Sequence, residues 1–254
     1  MRRTFEELAA EAEAADVTGW DFSWLEGRAT EQRPSWRYQH TLSRRLPQVS
    51  VALDLQTGGG EVLAAIPRLP TLMVATEGWP PNVAAASHLL HPRGVAVLAH
   101  EIDTPLPFAE AVFDLVVSRH PVGVRWPDLA RVLRPGGSYL AQHVGPASVF
   151  ELVEYLLGPQ LEHVRNSRHP DHDRAAAKQA GLEITDLRAE QLRVEFFDIA
   201  AVIYFLRKVV WMVPGFTVAQ YRDRLRELHE RIEADGVFVA HSSRFLIEAR
   251  RPTE

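Results

Sequence analysis

Ala52-Leu53-Asp54-Leu55-Gln56-Thr57-Gly58-Gly59-Gly60-Glu61 is the stretch that decides the fold. A short apolar run over 49–55 enters three consecutive glycines, and a helical stretch follows to Leu69. Glycine suits such a turn because the backbone must reverse tightly and approach a neighbour or ligand with no Cβ between them. A dinucleotide-binding turn spaces its glycines G-x-G-x-x-G, and here Leu63 stands where the third would be. Asp54 and Glu61 also flank the loop, and two carboxylates repel a pyrophosphate seated on a helix N-terminus. The turn suits a ligand that carries positive charge.

Outward from this turn, apolar runs and helical stretches alternate. Residues 71–75, 95–99, 112–117 and 138–144 are further strand candidates, with helices predicted over 81–90 and 128–133. Alternation at this spacing predicts a doubly wound, mainly parallel, Rossmann-like α/β sheet. Upstream, Phe5, Leu8, Ala9 and Ala12 share one face of a helix over 4–15, and 36–46 reads as a second helix. Residues 1–46 are therefore expected to form an N-terminal helical cap, because so short a segment holds no core of its own. Downstream, 170–180 reads as a helix stopped by Gly181, and 182–197 as extended chain. Helices over 198–212 and 217–234 then precede a last strand over 237–249. The expected organisation is a cap over 1–46 and one domain over 47–254, with a helical insertion at about 198–235.

Among cationic cofactors, S-adenosylmethionine, with its sulfonium and ammonium, suits the turn better than a nicotinamide dinucleotide. The second strand runs into Glu77-Gly78, and two acceptor oxygens are what a vicinal diol needs. Asp103-Thr104 then precedes Leu106-Pro107-Phe108, followed by Phe113-Asp114-Leu115-Val116-Val117 and Leu133-Arg134-Pro135-Gly136-Gly137. In this order the elements resemble the class I S-adenosylmethionine-dependent methyltransferases, of the methyltransferase type 11-like kind. Asp54, Gly58 and Gly60 match that family's D-x-G-x-G-x-G turn, with Gln56 in place of its first glycine. The resemblance implies S-adenosylmethionine as cofactor, held by Asp54, Gln56, Thr57, Gly58, Gly60, Glu77, Gly78, Asp103, Thr104 and Ser118. It gives Glu77 the ribose hydroxyls, and Asp103, or alternatively Glu101, the adenine amino group. It also implies that Arg244-Phe245-Leu246-Ile247-Glu248-Ala249 forms a last, antiparallel strand.

Ligands of such sheets sit at the carboxyl ends of the strands. The fourth strand leads to Ser118-Arg119-His120-Pro121 and the fifth to Gln142-His143-Val144-Gly145. His120 has the chemistry of a base for a hydroxyl or amine acceptor and is the catalytic candidate; a hydrogen-bonded loop histidine is the alternative reading. Tyr38, Arg119, His143, Tyr204 and Trp211 are the substrate-binding candidates. Arg119 suits either an acidic substrate or an ion pair with Asp114. The apolar segment 198–216, and Trp20, Trp24, Trp36 and Tyr38, are expected to cover the pocket and exclude water. His169 and His172, three apart in a proline-containing loop near His163, lack a geometry that would hold a metal, so none is expected.

Composition narrows the function classes. The 254 residues are 46% hydrophobic, with 28 Lys plus Arg against 33 Asp plus Glu, a net charge of −5. Only Lys178 and Lys208 are lysines, and this acidic balance argues against a nucleic-acid partner. The absence of cysteine excludes disulfides, thiolate metal sites and cysteine nucleophiles. The longest apolar stretch, 202–213, is broken by Arg207 and Lys208 and too short for a bilayer, and no leader is apparent. The expected protein is soluble, cytoplasmic and without membrane partners. Its expected activity is methyl transfer from S-adenosylmethionine to a small-molecule substrate. An RNA methyltransferase and a non-catalytic S-adenosylmethionine-binding protein are the alternatives.

Overall fold

The computed structural model describes residues 3–253; Met1, Arg2 and Glu254 lie outside it. Its strands are β1 (Ala29–Glu31), β2 (Val51–Leu55), β3 (Leu72–Glu77), β4 (Ala96–Ala99), β5 (Phe113–Arg119), β6 (Leu133–Val144), β7 (Glu183–Phe196) and β8 (Phe238–Arg250). Its helices are α1 (Phe5–Ala14), α2 (Tyr38–Arg45), α3 (Glu61–Ala64), α4 (Pro80–Leu90), α5 (Trp126–Val132), α6 (Phe150–Leu157), α7 (Glu162–Arg165), α8 (Pro170–Gln179), α9 (Ile199–Lys208) and α10 (Arg222–Asp235). The described residues divide into two compact units, a larger one of residues 34–146, 168–190 and 244–253 and a smaller one of residues 3–33, 147–167 and 191–243.

In the larger unit the strand order is β7-β8-β6-β5-β2-β3-β4. β2 pairs in parallel with β3 and β5, β3 with β4, and β5 with β6, while β8 runs antiparallel to β6. This is the doubly wound, mainly parallel sheet with its late antiparallel strand. Alternate residues of the central strands feed two cores, as a period of two requires. Ala52, Leu115, Val117 and Leu140 pack with Leu42, Leu63 and Leu90 from α2, α3 and α4. Leu53, Phe113, Val116, Tyr139 and Ala141 pack with Trp126, Leu129 and Ala177 from α5 and α8. Strands covered on both faces read as mostly apolar runs.

Several element boundaries differ from expectation. α3 ends after one turn because Pro67 biases Ile66 away from helix, so no helix continues to Leu69. α9 stops at Lys208, where Val209 leaves helical geometry at φ −105° and ψ 61°, rather than at 212. Residues 34–46 fold with the sheet unit, since Trp36, Tyr38, Leu42 and Leu46 join its core.

The smaller unit is built on α9, whose residues Ile199 to Tyr204 are all buried. Asp198 caps it, accepting from the Ala201 N–H at 2.7 Å. Phe5, Leu8, Ala9 and Ala12 of α1 pack in this core with Leu152 and Leu156 of α6 and Leu225, Leu228 and Ile232 of α10. α1 starts at a capping box: Thr4 Oγ1 accepts from Glu7 N at 3.3 Å, and Glu7 accepts from Thr4 N at 2.8 Å. β1, lying between the two helices expected over 4–15 and 36–46, pairs antiparallel with the end of β7, Ala29 opposite Phe196. Among the described residues no helix is long and apolar enough to cross a membrane.

Candidate active site at the strand order reversal

β2 lies between β3 and β5, so the chain leaves neighbouring strands in opposite directions and opens a crevice at their carboxyl ends. The glycine turn occupies that point. Gln56, Gly58 and Gly60 all take left-handed backbone, with φ of 56°, 66° and 87°. A Cβ on Gly60 would stand 2.9 Å from Leu90 Cδ1 and 3.3 Å from Ala86 Cα. Close approach to α4 therefore makes this glycine necessary, whatever a ligand demands. The turn is stitched to β3 by Thr57 N donating to Thr76 O at 2.9 Å.

Two carboxyl groups face the turn from adjacent strands. Glu77 accepts from Gly58 N at 2.8 Å and from Gly78 N and Trp79 N at 3.0 Å each. Gly78 is tight as well, because a Cβ there would lie 3.1 Å from the His100 carbonyl. Asp54 is buried and accepts from the Thr57 hydroxyl at 2.7 Å. Burial pushes the Asp54 carboxyl up to about 7, and the negative Glu77 adds to the rise while Thr57 opposes it.

Gln56, standing where the resemblance expects glycine, has a specific contact. Its Nε2 donates to Gly123 O at 2.7 Å and its Oε1 accepts from Val122 N at 2.7 Å. One side-chain amide thus ties the β2 turn to the loop after β5. Beneath this tie, Ser118 donates to Leu55 O at 2.7 Å and is fully buried. Asp103 and Thr104 occupy an exposed turn after β4. The Asp103 carbonyl accepts from Arg125 at 3.1 Å, and the Thr104 hydroxyl donates to Glu101 O at 2.8 Å.

His120 follows β5 with φ 58°, another left-handed position. Trp36 donates its indole N–H to Gln142 Oε1 at 2.8 Å, and Gln142 Nε2 lies 2.8 Å from His120 Nε2. Indole nitrogen only donates, so the amide oxygen faces Trp36 and its NH₂ must donate to His120. The Nε2 lone pair is thereby occupied and the neutral ring carries its proton on Nδ1. Burial, then Arg119, Arg244, His143 and Arg168, hold the His120 imidazole well below its ordinary range, so it stays neutral. With this bond in place His120 presents a donor, not a free base. Gln142→Leu is expected to orphan both partners and cost about 1–3 kcal/mol for each buried group left unpaired. Urea unfolding midpoints check this; an unchanged midpoint means solvent satisfies both groups.

Known proteins bear on this geometry. Residues 53–141 match the family model described as a methyltransferase domain. Over those residues the chain is similar to class I methyltransferase domains. A candidate methyltransferase from Bacillus halodurans C-125 superposes with a TM-score of 0.60 at 17% identity, covering 85% of this chain and 99% of that one. The YcgJ protein of Bacillus subtilis gives 0.60 at 16% identity with the same coverage. Geranyl diphosphate methyltransferase in complex with SAM gives 0.51 at 14%, covering 84% of each chain. At these identities the likeness is one of fold. No curated protein matches the chain.

The remaining candidates of the larger unit, Arg119 apart, are engaged in internal bonds. Tyr38 is buried and donates to Ser118 O at 2.8 Å. His143 donates from Nδ1 to Asp173 Oδ2 at 3.0 Å and accepts at Nε2 from the Tyr139 hydroxyl at 3.0 Å. Trp126 donates to the other Asp173 oxygen at 3.2 Å, completing a chain that fastens α5 and α8 to β6. Both His143 nitrogens are committed to this chain. Asp114 pairs with Arg134 at 2.7 Å, so the ion pair considered for Arg119 is made by another arginine. In the smaller unit, Tyr204 stacks on Trp24 at 4.5 Å between centroids, and half-exposed Trp211 lies 5.6 Å from Trp20. His169 caps α8 by accepting from Asp171 N at 3.3 Å. Among the described residues no three His, Cys, Asp or Glu side chains converge as a metal site requires.

Sequence reasoning gave Gln142 and Asp173 no role and took Trp36 only as part of the pocket's cover. The available signal was a glutamine inside a run of buried residues from Tyr139 to His143, since a polar side chain enters a core only with a partner.

Proposed function

We propose that this protein is an S-adenosylmethionine-dependent methyltransferase acting on a small-molecule substrate. The observation that carries the reading is the meeting of Asp54 and Glu77 at the glycine turn, at the point where the strand order reverses. The donor set fits the cofactor. Thr57 supplies one bond to Asp54, and a carboxylate has about four acceptor sites, so the buried acid keeps capacity for a cation or hydroxyl. Glu77 is fixed by three backbone N–H groups, which supports reading it as the acceptor for a ribose diol.

When bound, the cofactor supplies an already activated methyl group, so alignment with the acceptor contributes most to rate. Gly58 and Gly60 shape the turn, Asp54 and Glu77 anchor and orient, and Gln56 holds the loop after β5 against the turn. Ser118 and Tyr38 fix the end of β5 from below. The acidic chain, with two lysines, supports a small acceptor over a nucleic acid.

Calorimetry tests the reading. S-adenosylmethionine and S-adenosylhomocysteine are expected to bind with micromolar affinity and NAD not at all. A cation beside Asp54 draws its carboxyl back to the ionised form, so binding near pH 6 should release protons, seen as a buffer-dependent heat. Glu77→Ala should weaken binding by about 1.5–3 kcal/mol, the range for hydrogen bonds to a charged group. Tight NAD binding, or S-adenosylhomocysteine affinity unmoved in Glu77→Ala, would sink the assignment.

A further inference from the structure

The sheet end at which β5 and β6 finish, and which Arg244 of the antiparallel β8 also reaches, carries arginines that the proposed function does not use. Arg119 of β5 is in register with Gln142 of β6, and two residues on, Val144 is in register with Arg244 of β8. Residues in register share a face and alternate residues of a strand share it too, so Arg119, Gln142 and Arg244 lie on one face at one sheet end. Arg168 belongs to the loop leading into α8, which is fastened to β6 by the Asp173–His143 bond. All three guanidinium groups are near enough to oppose a positive charge on His120.

Among the described residues neither Arg119 nor Arg168 has an acidic partner, and both side chains are exposed to solvent at this sheet end. The amino ends of the strands make the contrast. There a cleft of about 510 Å³ also holds two arginines, but Arg45 is paired with Glu248 and Arg134 with Asp114, each at 2.7 Å. His120 adds a second feature: the Trp36–Gln142 chain leaves its proton on Nδ1, and its backbone is strained at φ 58°. Strain of this kind persists where the surroundings over-determine it, and it clusters at ligand sites.

We propose that this sheet end binds an anionic group of the methyl acceptor, a carboxylate or a phosphate, through Arg119, Arg168 and the Nδ1–H of His120. The word acceptor rests on the methyltransferase reading; the anion site itself does not. A guanidinium fork matches two oxygens of either group, and a neutral imidazole N–H completes the set without adding charge. Gln142 and Trp36 are positioning residues that decide which His120 nitrogen faces the anion. A few arginines in an acidic chain suit a small molecule rather than the extended basic track of a single-stranded nucleic acid.

The test titrates the protein with inorganic phosphate and with benzoate at constant ionic strength, reading the histidine ring nitrogens by NMR. The expected result is a saturable shift of His120 Nδ1, with the tighter of the two probes naming the group. Arg119→Gln and Arg168→Gln should each weaken binding about tenfold, the loss of one charge-assisted contact, with unfolding temperatures checked alongside. Arg68→Gln, in the loop before β3 at the amino end of the strands, should match wild type. The same samples are titrated with S-adenosylhomocysteine. If that ligand binds and both arginine variants hold the anion as wild type does, the anion site is overturned. If that ligand fails to bind, the methyltransferase reading falls and the anion result stands separately. A response equal in all three variants, or RNA binding that small anions do not displace, also overturns the proposal.

Discussion

Gly60→Val is expected to lower stability by about 2–5 kcal/mol, combining a strained backbone with an overfilled contact. Gly60 sits at φ 87°, which a β-branched residue adopts only under strain. The new Cβ also meets Leu90 and Ala86 of α4, the second of them as backbone. Gly94 separates the two terms. It has φ 76° with nothing within 4 Å of a built Cβ, so Gly94→Ala measures strain alone. Gly60→Ala should cost clearly more than Gly94→Ala in thermal and urea unfolding. Equal losses would mean that Leu90 moves aside and that the packing account is wrong. Cofactor affinity should fall in Gly60→Val as well, because the turn that carries Gly58 is displaced with its neighbour.

The second large effect is a pH dependence that belongs to Asp54. Its carboxyl is raised from 3.8 to about 7 in the folded protein. Between pH 4 and 7 the native state therefore keeps a proton that the unfolded chain has released. Stability must fall as pH rises through this window, by an amount of order 4 kcal/mol for a shift of about three units. Asp114 and Asp128 act oppositely: hydrogen bonds and arginines depress them, and they contribute stability that is lost as pH falls through their folded values. The decisive quantity is thus the difference between wild type and Asp54→Asn, whose amide can still accept from Thr57 but does not ionise. The variant should gain on wild type steadily from pH 4.5 to 7.5 in urea unfolding. Parallel curves would falsify the buried-acid account.

The parallel strands were legible because covering both faces of a sheet leaves mostly apolar runs, as over 51–55 and 113–117, each interrupted by a single aspartate. The positions of the turn glycines and of the acid at 77 were legible for a related reason, since each closely follows an apolar run. Three kinds of feature were not. β1 is three residues long with only its first partly buried, so no alternation announces it; its pairing is decided by β7, more than 150 residues away. Trp36 and Gln142, or His143 and Asp173, meet through tertiary folding, and no local period records such partners. The reason for Gly60 was also hidden, because the side chain it avoids belongs to another helix. His120 shows the limit for chemistry: its position after β5 was readable, but the state of its nitrogens depends on a glutamine on the next strand.

The division into two units has a consequence for biosynthesis. Neither unit is a continuous piece of chain; the boundaries at 33, 146, 167, 190 and 243 interleave them. A nascent polypeptide therefore exposes the apolar face of α1 long before α9, its core partner, has been made. At 5–20 residues per second that interval is roughly 10–40 s. Phe5 and Leu8 must spend it in water, on the ribosome surface or in a chaperone's grip. Cutting the gene at any single point also yields no independently foldable half, so a split reporter built on this protein would have to reassemble both cores at once.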